Sequence, residues 1–386
     1  MQNEGGSAGG LGIKKRCIIL AGVIGLLLLQ CSHDVNKFAD FNTQFKVSYN
    51  PYQSVDWTSW KRCLSQHHDH VKTSEKRIRD YDAAGYQAVA LLDYAGVKSK
   101  TYTHRERIWP FTKFFPQYQS DAAFMATAQN LKFFIPSMEE VGVHHMTSPF
   151  MTKYVELFEK SIDHVEQSWQ YRNEQELIDE IDRNNGFPII AHPTRKYRFY
   201  ERLNHFNAIE IYNAFYNFNH RNGKISKDMN AHFVTVWDNL LAYKSNRIFG
   251  FAVNDWYGPF NKDVRESDPD IYDSGKTLVL LPEYTLDSYR KSVEMGAFFA
   301  LKDLGVKKGG LPKVERIEVD GEGIHIESDG GKIRWIFCGD VIAEGADFPL
   351  TALPHNFNYI RAEIQNENGT VYVQPFSLTP IPAGNE

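Results

Sequence analysis

Between Trp57 and about Leu304, short apolar runs alternate with stretches of helical period, and beyond Gly309 the helical stretches stop. The runs are Ala88 to Leu92, Lys132 to Ile135, Pro188 to Ala191, Ala208 to Ile211 and Ile248 to Ala252. Between them Ser74 to Gly85, Glu174 to Asn185 and Thr285 to Met295 carry apolar residues three and four apart, the spacing of an amphipathic helix. Buried strands alternating with helices predict parallel strands joined by crossovers, as a barrel or a doubly wound sheet. After a Gly309-Gly310-Leu311-Pro312 linker the pattern is period two. Val314 to Val319, Gly323 to Glu327, Lys332 to Phe337, Tyr359 to Ile364 and Thr370 to Val373 read as strands, with turns at Asp320-Gly321, Asp329-Gly330-Gly331 and Asn368-Gly369. A small all-β sandwich is expected there. The chain therefore divides into an α/β unit over 57–305 and a β-sandwich over 312–386.

The N-terminus adds two segments. Lys14-Lys15-Arg16 precedes an apolar run from Cys17 to Leu29, too short to span a bilayer, so residues 1–31 read as an export signal. Leu28-Leu29-Gln30-Cys31 resembles a bacterial lipobox, which makes Cys31 a lipid anchor, and residues 32–56 a tether. The competing reading is an uncleaved signal anchor. The location expected is the bacterial periplasm or cell surface, with membrane contact only through the lipid at Cys31.

Composition excludes other classes. In 386 residues, 42% hydrophobic and 24% charged, the net charge of -5 is spread along the chain, so neither nucleic acid nor a disordered tail is indicated. Past the signal only Cys63 and Cys338 remain, far apart and in no metal-type spacing, which excludes a disulfide framework and thiolate chemistry.

The histidines and acids carry the chemistry, because they fall at the C-terminal ends of expected strands, where α/β folds place their sites. In an extended His68-Asp69-His70, residues two apart face the same way, so both histidines can grip one metal; a polar turn is the alternative. Asp93 ends the next strand, where a lone Asp is more often a helix cap than a ligand. Glu139 with His144-His145 suggests a short hairpin from which only one histidine can point inward, and we take His145. His192 ends a buried strand before Pro193, and Asp255 ends another.

The order His-x-His, Asp at a strand end, Pro-x-x-Glu then His, Ala-His-Pro, and a final strand ending in Asp resembles the PHP (polymerase and histidinol phosphatase) family over Trp57 to Leu304. Glu210-Ile211-Tyr212-Asn213 is similar to the family's segment after Ala-His-Pro, and the β-rich tail ending in Gln374-Pro375-Phe376 resembles that of exported members. The resemblance implies an α/β fold of the distorted (β/α)7 PHP-type barrel kind, followed by the small all-β sandwich domain. It further implies that His68, His70, Glu139 and Asp255 hold one metal, and that a bridging Glu139 shares a second with His145 and His192. Positions that supply a third metal site in other members hold Tyr94 and Tyr257, and no histidine stands between His70 and His104, which fits a dinuclear enzyme.

Two bridged cations would lower the pKa of a shared water for attack on phosphorus. Mixed imidazole and carboxylate ligands suit divalent zinc, manganese or iron. Arg195 could pair with a phosphate oxygen through its planar fork, and Tyr94 and Tyr257 could hydrogen-bond the substrate. The expected activity is a metal-dependent phosphoesterase acting on a small phosphorylated molecule. The alternatives are an amidohydrolase-like hydrolase with the same metal site and a catalytically impaired surface binding lipoprotein.

Overall fold

The structure, a computed structural model, describes residues 43–70, 75–92, 94–95, 119–141, 144–151, 174–255, 273–305, 309–351, 353 and 357–382. The export signal, Cys31, Asp93 and Tyr257 lie outside the described residues, as does the Tyr94 side chain. The first strands are β1 (Phe45–Tyr49), β2 (Lys61–Gln66), β3 (Ala88–Leu91), β4 (Tyr94–Ala95), β5 (Phe133–Pro136), β6 (Glu139–Val141), β7 (His145–Thr147), β8 (Ile189–Ile190), β9 (Ala208–Asn213) and β10 (Phe249–Val253). Among them lie helices α1 (Glu75–Ala83), α2 (Asp121–Met125), α3 (Glu174–Arg183), α4 (Tyr197–Glu201), α5 (Ala214–Arg221) and α6 (Met229–Tyr243). Then come β11 (Gly275–Leu281), α7 (Leu286–Glu294) and β12 (Phe298–Asp303). The remainder is all strand: β13 (Val314–Val319), β14 (Gly323–Ser328), β15 (Lys332–Phe337), β16 (Asp340–Glu344), β17 (Asp347–Pro349), β18 (Tyr359–Asn366), β19 (Gly369–Val373) and β20 (Phe376–Pro380).

The described strands form open sheets, and the expected distorted (β/α)7 barrel is not seen among them. One sheet runs β1-β20-β18-β19-β12-β11-β2-β3-β5, with β15 attached to β18 and β16 to β15; a second runs β10-β9-β8-β7-β6-β4; a third is β13-β14-β17. The expected parallel pairings occur at β2-β3-β5 and β8-β9-β10, but β2-β11, β11-β12 and β6-β7-β8 are antiparallel.

The physical reason for the opening lies along β10, whose edge facing the large sheet is met by side chains in place of a strand. Gln374 accepts from Gly250 N at 2.8 Å and donates to Gly250 O at 2.9 Å. Thr277 Oγ1 donates to Ala252 O at 3.2 Å, and Gln66 Oε1 accepts from Asn254 N at 3.2 Å. Alternate residues of one strand edge thus find hydrogen-bond partners without a ladder. The approach is close enough that a Cβ on Gly275 would sit 1.9 Å from Val253 O.

Two further differences concern the C-terminal part. Strand β1 falls within residues 32–56, read from sequence as a tether, yet it pairs with β20 and Phe45 is fully buried. The large sheet also crosses the 305–312 boundary, because β12 is laddered to β19 from Phe299↔Val373 to Asp303↔Gly369. Gly369, at φ 143°, permits this: a Cβ there would stand 1.9 Å from Lys302 O. The β13-β14-β17 sheet faces β15 through Trp335 and Phe348, whose rings are 5.2 Å apart.

Candidate metal centre

Strand β2 ends in Gln66, the chain bends at His67 and His68, and His70 bridges to Leu92, with alternate side chains turned to opposite surroundings. His68 and His70 turn one way. His67 turns the other, its Nε2 2.6 Å from Tyr289 Oη. Asp69 takes the Arg77 guanidinium at 2.7 and 2.8 Å and the Tyr81 hydroxyl, a buried tie from this loop to α1.

The β6-β7 hairpin pairs Val141 with His145 and brings Glu139 and His145 to the same place. The choice between the adjacent histidines follows the pleat. His145 Nδ1 is 2.6 Å from Glu139 Oε1, whereas His144 packs edge-on against Phe199 and Tyr200, with ring centroids 4.4 and 5.5 Å away. His192 follows the buried β8, and Asp255 follows β10. Both have positive φ, 29° and 50°, which costs an L residue on the order of 1–3 kcal/mol and persists only where surroundings impose it.

All six residues meet. His68 Nε2 is 3.4 Å from Glu139 Oε2 and 3.3 Å from Asp255 Oδ1; His70 Nε2 is 3.1 and 3.6 Å from the same two oxygens. Those four atoms form one knot. On the other side of Glu139, Oε1 faces His145 Nδ1 and lies 3.6 Å from His192 Nε2. Glu139 therefore stands between two sets of donors, and His68, His70 and Asp255 on one side and Glu139, His145 and His192 on the other are each spaced so that they could hold a metal ion.

The donors fit a divalent cation. His68 Nε2, Glu139 Oε2 and Asp255 Oδ1 are fully buried with no hydrogen-bond partner among the described residues, although buried polar atoms are nearly always satisfied. Metal–ligand bonds of about 2.1 Å in a tetrahedron put ligand atoms roughly 3.4 Å apart, which is the spacing in the first knot.

Charge is concentrated there as well. Burial opposes a charged imidazole at His68, but Asp255, Glu210 and Glu139 outweigh it and push its pKa well above the ordinary value. Burial likewise opposes the Glu139 carboxylate, and His68 and His145 overcome it and hold its pKa well below the carboxylate range. His144 behaves oppositely: burial, then Arg195 and His192, bring it down to about 4.

Sequence reading missed the supports. Glu210, in the middle of the fully buried β9, places Oε1 2.6 Å from His68 Nδ1, while its Oε2 accepts from His192 N at 2.8 Å. Asn213 Nδ2 donates to Glu210 Oε2 at 3.2 Å and to Asp255 Oδ2 at 3.0 Å. An acid inside the apolar run Ala208-Ile209-Glu210-Ile211 was the available signal, since a buried carboxylate needs a partner. Arg195 is exposed, its backbone N bonded to Tyr200 Oη at 3.2 Å, and its guanidinium makes no ion pair among the described residues.

No family model and no curated protein matches this chain. Among solved structures it is similar to a two-domain protein containing a predicted PHP-like metal-dependent phosphoesterase from Bacteroides vulgatus ATCC 8482, at TM-score 0.43 and 12% identity, over 87% of this chain and 98% of that one. Among the described residues, no helix is long and apolar enough to cross a membrane.

Proposed function

We propose that the chain is a metal-dependent phosphoesterase holding two divalent cations of the zinc, manganese or iron type. His68, His70, Asp255 and Glu139 Oε2 would hold one, and Glu139 Oε1, His145 and His192 the other. The observation that carries the reading is the convergence of these six side chains from distant stretches, with His68 Nε2, Glu139 Oε2 and Asp255 Oδ1 buried and without a hydrogen-bond partner among the described residues. Bound there, such cations supply Lewis acidity and activate water for attack on phosphorus.

The chain's own residues prepare that chemistry. Glu210 fixes the His68 ring so that Nδ1 is committed and Nε2 faces the cation, as outer carboxylates commonly do for metal-ligating histidines. Side-chain exposures of 21% at His145 and 14% at His192, against 0% at His68 and Glu139, favour a substrate approach from the His145 and His192 side. Arg195, three residues beyond His192, is the cation nearest in sequence to that opening and would neutralise a phosphate oxygen. Tyr216, on α5, lies against His192 with ring centroids 5.4 Å apart and would wall the same entrance. Tyr94 and Tyr257 remain proposed substrate contacts and Asp93 a proposed catalytic acid at a strand end, and export with a lipid anchor at Cys31 remains the proposed location.

Elemental analysis of the purified chain tests this. About two equivalents of a transition metal are expected, falling to one in His192→Ala, together with chelator-sensitive hydrolysis of phosphate esters. Less than one equivalent in the unmodified protein rejects the proposal, and activity confined to carboxyl esters or amides would favour an amidohydrolase-like reaction instead.

A further inference from the structure

Gln66 is fully buried and joins three segments through one side chain. Its Oε1 accepts from the backbone N–H of His68 and of Asn254, each at 3.2 Å, and its Nε2 donates to Gly275 O at 2.9 Å. Beside it, Asp255 N donates to His68 O at 2.7 Å, and Asn254 Oδ1 accepts from Gly275 N at 3.1 Å. We infer that Gln66 is a positioning residue whose side-chain amide sets the spacing between the segments carrying His68 and Asp255. The inference rests on the proposed cation site.

Two features make the side chain decisive. Strands β2 and β10 belong to different sheets, so no ladder fixes their relative register. Asp255 also sits at φ 50°, a left-handed conformation from which an L residue relaxes unless neighbouring bonds hold it. The bond from Asn254 N to Gln66 acts one residue before Asp255, and that from Asp255 N to His68 O acts on the residue itself. Glu139, His145 and His192 are placed differently, by the β6-β7 hairpin and by pairing of β7 with β8. Loss of Gln66 should therefore affect one cation site and spare the other.

The test is calorimetric titration of chelator-stripped full chain with Zn²⁺, alongside melting curves and a crystal structure of each variant. Gln66→Leu is expected to weaken one of two binding steps by about 10–100-fold and to widen the 3.3 Å separation of His68 Nε2 from Asp255 Oδ1. Gln66→Glu keeps an acceptor for both backbone donors but loses the donor to Gly275 O, so it should restore the weakened step in part. If Gln66→Leu does not fold, Gln66→Asn, one methylene too short to span the segments, is read in the same way. Equal weakening of both steps without rescue by Glu, or no change in either, overturns the inference. An unmodified chain that takes up no Zn²⁺ defeats the proposed cation site instead; the separation in Gln66→Leu then decides alone, and an unchanged 3.3 Å rejects the positioning role.

Discussion

Glu210 Oε1 lies 2.6 Å from His68 Nδ1, and the other oxygen of that carboxylate accepts the backbone N–H of His192 at 2.8 Å. One buried acid thus orients a donor on each side of Glu139. Glu210→Gln can still accept one of these bonds but loses the charge that favours the Nδ1–H form of His68. Cation affinity is expected to fall about 10–100-fold while the fold persists. Calorimetry with Zn²⁺ or Mn²⁺ and a thermal melt separate the two effects, and a variant with unaltered affinity would remove Glu210 from the site.

Arg361 and Asp238 form a buried fork, Nε to Oδ1 and Nη2 to Oδ2 both at 2.7 Å, joining β18 to α6, and the guanidinium also stacks over Trp237 at 4.8 Å. Removing one partner leaves an uncompensated buried charge. Arg361→Ala should lose about 3–5 kcal/mol in urea unfolding. The transition should remain single for the α/β and β-rich parts, because β12 and β19 share a ladder; two separated transitions would show that the parts unfold independently.

Asp82, 5% exposed, ends α1 by accepting from the backbone N–H groups of Gln129, Asn130 and Leu131. Burial alone would raise its pKa, but these three donors outweigh it and hold it below the usual carboxylate value. A depressed folded-state pKa contributes stability that is present above the unfolded value and is lost as pH falls through the folded one. Asp82→Ala should cost about 1–3 kcal/mol near neutrality. The gap from the unmodified protein should narrow below the unfolded carboxylate value of about 3.9; denaturant titrations at several pH values read both, and a gap that widens on acidification would contradict the assignment.

Much of the site was legible before folding because donor chemistry is written in residue type and strand ends are written in hydrophobic runs. His68, His70, Glu139, His145, His192 and Asp255 each lie at or near the end of such a run; alternation said that only one of His144 and His145 could face inward, and the contacts of the folded chain decided which. The supports were harder to read. Glu210 and Asn213 stood out only as part of the Glu-x-Tyr-Asn segment, which assigned them no role, and Gln66 gave no signal; what they do depends on groups 18 to 188 residues away.

Period and composition by themselves determined the alternation of strands and helices up to Leu304, the all-strand remainder and the set of polar residues available for chemistry. Only the tertiary structure decided how the sheets join. Closure depends on which groups meet the edge of β10, and there Gln374, Thr277 and Gln66 side chains take the hydrogen bonds a neighbouring strand would have taken. Local periodicity reports which face of an element is buried; it holds no information about a partner brought to that edge from 124 residues away.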